Sequence, residues 1–239
     1  MPSLLATRRR APSSLLRIDG RAVAVTMRLN PRARRLIVKV HPSTGEISVI
    51  APSQRALDRA LDFAQGEAPW ISRQLARVPK RVALTLGQAI PFRGEEHLIL
   101  RGDGGPAVVG AGVLRVGGRD EHVPRRVLDF LKREARRETE ALSRAYAARI
   151  DAKVRRVTVR DTASRWGSCS ANKSISYCWR LILAPAFVLK YVVAHEVAHL
   201  REMNHGPRFW RLVRSLVADI ETPQAWLKKN GTALHRYGA

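Results

Sequence analysis

Within eleven residues the chain places three histidines and a glutamate in the order His195-Glu196-Val197-Ala198-His199, then His205. On a helix, positions four apart lie about 40° apart around the axis and about 6 Å along it. His195 and His199 therefore point the same way and can share one metal ion through imidazole nitrogens. Glu196 projects close beside them and is not needed as a ligand. It has the chemistry of a general base for a metal-activated water, passing the proton on to a leaving group. A straight helix would carry position 205 away, so the chain must turn. Asn204, Gly206 and Pro207 predict that turn, through a left-handed helix end followed by a residue that forbids continuation. Three protein ligands leave a fourth position for water, the pattern of a catalytic zinc.

The surroundings favour this reading over surface histidines. Val192, Val193, Ala194, Val197, Ala198 and Leu200 make the helix apolar nearly all round. Two histidines and a glutamate in such a segment are costly unless paired or metal-bound. The remaining histidines, His41, His97, His122 and His235, have no comparable context.

The elements that must position these residues read as a mixed chain of 239 residues, long enough for one large domain or two small ones. A basic N-terminal arm is expected over residues 1–20. A β-rich, antiparallel N-terminal region with a helix is expected over 21–118, closing at Gly117-Gly118. The helix begins after Ser53, a good N-cap, and breaks near Pro69. The second half, 119–239, opens on a helix from about Val123 to Arg149, with an apolar stripe including Val127, Phe130, Leu131 and Tyr146. A strand at Val154–Val159 follows. Ile175 to Leu183 alternate with period two and predict one continuous strand. Pro185, Pro207 and Pro223 each open a helix. The fold class is α+β.

These segments resemble a family. Ser164-Arg165-Trp166-Gly167-Ser168-Cys169, Cys178-Trp179-Arg180-Leu181 with Pro185, the His195-Glu196-x-x-His199 motif, and Asn204-His205-Gly206-x-x-Phe209-Trp210 are similar to the YgjP-like metallopeptidase-type domain. That domain is related to SprT-type and other gluzincin-related zinc proteins. The resemblance runs roughly from Gly20 to His235 and is strongest from Val154 to Trp210. It implies Zn2+ on His195, His199 and His205, Glu196 as general base, and a zincin-like helix–hairpin–active-site-helix domain with Arg165-Trp166-Gly167 beside the site. Asn172-Lys173 and Tyr177-Cys178 depart from the family's usual hairpin. No Met follows Met203, so a metzincin Met-turn is absent.

The hairpin has its own chemistry. Arg165 can stabilise charge on a substrate oxygen and Trp166 can wall a pocket, the alternatives being an ion-pair partner and a core aromatic. An edge strand there can hold an extended peptide by main-chain pairing.

Composition leaves three functions open. The chain carries 43 Lys+Arg against 20 Asp+Glu, net +23. That charge suits a polyanion, or reflects Arg-rich composition and solubility. A zinc metallopeptidase acting on peptides or proteins comes first. A zinc-dependent phosphoanhydride hydrolase acting on nucleoside triphosphates is the alternative, and a nucleic-acid-associated module with structural zinc is the third. The last leaves Glu196 without a task. No apolar run approaches the ~18 residues of a membrane span. Cys169 and Cys178 are not placed to face each other across the hairpin, so reduced thiols and a cytoplasmic location are expected.

Overall fold

The computed structural model describes residues 13–238 apart from 43, 79 and 163. The part of the expected basic arm before residue 13 lies outside the described residues. The remainder is not an arm: it forms strand β1 (Ser13–Ile18), because Leu16 and Ile18 are buried. The chain divides into two compact units, Met1–Pro79 and Lys80–Ala239.

In the first unit β2 (Arg21–Leu29), β3 (Ile37–Val40) and β4 (Ile47–Ala51) join β1 in the order β1-β2-β4-β3. The sheet is not wholly antiparallel as expected, since β2 and β4 run parallel, with Val25 opposite Ile47. Strand β4 buries Ile47, Val49 and Ala51 and takes the inner place, while the less buried β3 is left at the edge. Three short helices follow: α1 (Gln54–Leu57), α2 (Ala60–Gly66) and α3 (Ala68–Ala76). Ser53 caps the first by accepting from Ala56 N–H, and Pro69 sits in the first turn of the third. Ala60, Ala64 and Ile71 close this unit's core over Leu16, Ile18, Val25 and Met27.

The second unit starts with β5 (Ala89–Phe92), β6 (Glu95–Arg101), β7 (Val108–Gly110) and β8 (Val113–Val116), in the order β5-β6-β8-β7 with β6 and β8 parallel. The sequence grouped these strands with residues 21–118. They belong instead with the long helix α4 (Val123–Arg149), because Ile90, Phe92, Ile99, Leu114 and Val116 share one buried cluster with Val123, Val127 and Phe130. Gly117 lies inside this unit, between β8 and α4, its carbonyl accepting from Arg126 Nη1 at 2.8 Å.

After α4 come β9 (Arg156–Arg160), β10 (Gly167–Cys169) and β11 (Ser174–Cys178), ordered β10-β11-β9, with β10 antiparallel and β9 parallel to β11. The expected strand over 175–183 stops at Cys178. Residues 179–183 form a 3-10 turn whose five side chains are all buried, so the two-faced burial that alternation implies is absent. Helices α5 (Ala186–Ala198), α6 (Pro207–Leu216) and α7 (Glu221–Leu234) complete the chain. The architecture is mixed α+β, with the N-terminal part built from sheets and helices. Among the described residues no helix is long and apolar enough to cross a membrane.

Candidate metal centre

Helix α5 is buried at nine of its thirteen residues, including Glu196 at 6% exposure. His195 lies in its last turn and His199 is the residue that caps it. The helix therefore ends earlier than the sequence suggested. Leu200 and Arg201 N–H groups bond back to the Val197 and Ala198 carbonyls, turning the chain at once. No described residue from 199 to 206 adopts a positive φ, and Gly206 is extended at −79°. The turn is thus made by this tight helix end and by Pro207, which opens α6, without the left-handed Asn204 expected.

The return brings His205 to the pair. One ligand nitrogen from each of His195, His199 and His205 lies within 4.8 Å of the others, and the Nε2 atoms of His195 and His205 are 3.1 Å apart. That is about the spacing of two nitrogens on one tetrahedral ion. His199 Nδ1 donates to the Glu202 carbonyl at 3.0 Å, which leaves Nε2 with its lone pair free for a cation. Burial and the other two imidazoles push the His195 pKa down to about 4. Burial also lowers that of His199, with His205 adding to it. Both rings are thus neutral near pH 7, the form that can bind a cation. The donor set and its spacing fit zinc.

Phe209, fully buried on α6, packs against all three imidazoles, with ring centroids 4.9, 4.6 and 4.7 Å from His195, His199 and His205. Trp210 lies 6.0 Å from His195 and 6.1 Å from His205. The sequence offered these aromatics only as part of a motif. Their signal was position: Phe209 follows His205 by one helical turn, on the helix that returns the third ligand.

Glu196 is the buried acid of the site. Desolvation pushes its pKa up to about 7, opposed by the nearby Arg165 guanidinium and by a hydrogen bond from the Cys169 N–H. That bond follows from strand phase. Trp166 and Ser170 pair with Cys178 and Ser174 of β11, so Ser168 does too, and Gly167 and Cys169 turn their main-chain groups away from the sheet. Because β10 is an edge strand, it lies directly over the carboxylate. A Cβ at Gly167 would stand 2.5 Å from Glu196 Cγ and 2.6 Å from Oε1. Glycine is the residue that lets strand and acid approach this closely. Gly167→Ala is expected to keep fold and metal, since only a side chain must shift, and to lower turnover about a hundredfold by moving the Glu196 carboxylate. Steady-state kinetics beside elemental analysis will check this; unchanged kcat would show that the contact is not needed.

The hairpin is held from behind. Tyr177, fully buried on β11, shares a 2.9 Å hydrogen bond with Ser143 of α4. Buried Arg180 stacks on Trp179, donates from Nε to the Tyr237 carbonyl at 3.1 Å, and pairs with Asp161 at the end of β9. Of the two residues read as substrate contacts, exposed Arg165 lies near enough to Glu196 to act on its charge. The Trp166 ring instead packs on α7, against Gly231 and 5.0 Å from the His235 ring. On the other side of the site, Gln224 Nε2 donates to Tyr191 Oη at 2.8 Å, and the Tyr191 ring meets His195 edge-on. Cys169 and Cys178 are free thiols, and burial pushes the Cys169 pKa up to about 11.

A family model described as "YgjP-like, metallopeptidase domain" matches residues 34–230. No curated protein matches the chain. Among solved structures, the metallopeptidase zymogen abylysin of Pyrococcus abyssi is similar at 21% identity, covering 41% of this chain and 97% of that one, with a TM-score of 0.35.

Proposed function

The chain belongs to the YgjP-like metallopeptidase family, and from that premise we propose that it is a zinc-dependent peptidase with a zincin-like centre in its second unit. The catalytic part is the region from residue 119 onward, with α4 and the β10–β11 hairpin framing helix α5. His195, His199 and His205 would hold the zinc. Bound there, zinc supplies Lewis acidity, polarising an amide carbonyl and acidifying water. Glu196 takes up a proton on its carboxylate and returns it to the leaving amine nitrogen. A pKa raised by burial suits a group that must do both near neutral pH. Arg165 faces the negative charge that grows on the substrate oxygen. The outward main-chain groups of Gly167 and the outward Cys169 carbonyl, which Glu196 does not engage, offer an extended peptide an edge to pair with. The two free thiols fit a reducing, cytoplasmic setting.

The observation that carries this reading is the convergence of three imidazoles beside one buried carboxylate under an edge strand. It is tested by offering zinc-loaded protein a quenched-fluorescence peptide library and an unfolded protein, with nucleoside triphosphates in parallel. The expected result is peptide-bond cleavage, abolished by chelation and restored by zinc. Release of phosphate or diphosphate without any peptide cleavage would replace the peptidase reading with the phosphoanhydride one.

A further inference from the structure

Next to the metal centre lies a second feature that the proposed chemistry does not use. An open cleft of about 480 Å³ is bounded by the end of α4, the loop after α5, and α6. That volume is within the ~300–1,000 Å³ of ligand sites. Ile150 and Leu212 give it an apolar component, and the rest of its lining is polar or charged. Arg201 is already committed: Nε donates to the Ile150 carbonyl at 3.1 Å and Nη2 meets Asp151 Oδ2 at 3.0 Å. Arg208 and Arg211 differ. They are exposed, stand one turn apart on one face of α6, and have no hydrogen bond or ion pair among the described residues. One acid, Glu202, shares the lining, so the two free guanidiniums leave the cleft positive.

The cleft and the metal centre have a wall in common. The Glu202 carbonyl orients His199, and Arg208 follows His205 by three residues. We propose that this cleft is a subsite that receives acidic side chains of a peptide substrate, with Arg208 and Arg211 as the carboxylate-binding residues. This deepens the peptidase reading and rests on it. Guanidinium groups bind carboxylates through paired N–H donors, and two of them a turn apart suit neighbouring acidic residues. A nucleic acid is disfavoured because the lining has no aromatic ring for a base to stack on.

The test is fluorescence anisotropy on full-length Glu196→Gln protein with zinc, in which nothing is cut. The probes are a labelled glutamate-rich peptide, its glutamine counterpart and a single-stranded oligothymidylate. The glutamate peptide is expected to bind about tenfold more tightly than the glutamine one, and the advantage is expected to fade as salt rises. Arg208→Gln with Arg211→Gln should erase that difference; both positions are exposed, so the fold should survive. Glu202→Gln, which removes a repulsion, should tighten glutamate-peptide binding about twofold to fivefold. Equal binding of the two peptides, indifference to the arginine changes, or tighter arginine-dependent binding of the oligothymidylate would each overturn the proposal. The two readings fail separately. Arginine-dependent glutamate binding with no cleavage of any peptide by the unaltered protein keeps the cleft and removes the peptidase. Cleavage that ignores acidic residues keeps the peptidase and removes the cleft.

Discussion

Glu196→Gln is expected to lower peptide turnover about a thousandfold while leaving zinc content unchanged. Glutamine keeps the size of the side chain and can still accept the Cys169 N–H, so the strand and helix have no reason to move. It cannot hold a proton at the position where the carboxylate would. The change also removes a carboxylate from a place only 6% exposed, where its charge is disfavoured, so thermal stability should hold or rise. The measurements are kcat, metal content by elemental analysis and a thermal melt on the same preparation. Turnover within tenfold of the unaltered protein would remove Glu196 as the base. Loss of zinc together with activity would make it a structural or ligating group.

The second large effect concerns the imidazoles. His195→Ala should weaken zinc binding well beyond the ~10–100-fold typical of losing an outer contact, and abolish hydrolysis. His195 is the informative choice because it touches both other histidines as well as Phe209 and Trp210. A ligand present at a thousand times its dissociation constant stabilises the folded state by about 4 kcal/mol. For a unit of this size, chelation should therefore lower the melting temperature of the unaltered protein by roughly 10 °C. The melting temperature of the His195→Ala variant should not respond to chelator at all. A chelator effect of equal size in both proteins would place the metal elsewhere.

Much of the site was legible in one dimension because its logic is local. Two histidines four apart must share a helix face, and a proline after the third must begin a new helix. The span of α4 was readable for the same reason, since a long apolar stripe repeats within a single element. Gly167 and Glu196 are a different case. They are 29 positions apart, and nothing in either segment says that one backbone will lie over the other's carboxylate. The strand read over 175–183 fell short because Trp179 to Leu183 are all buried, and alternation has no meaning when both faces are covered. The boundary near residue 118 was drawn from a glycine pair. The division lies instead after residue 79, because β5–β8 share their buried cluster with α4.

What the sequence determined by itself was the grouping: three imidazoles at spacings that backbone geometry converts into convergence, with a glutamate next to the first of them. Only the tertiary structure decided how that set is tuned. It placed Phe209 against the three rings, brought an edge strand over Glu196, and buried that acid so that its pKa rises. The division has a physical cause. Ligand spacing depends on bonds and helix pitch within one segment, whereas desolvation and close approach depend on which distant segments pack together.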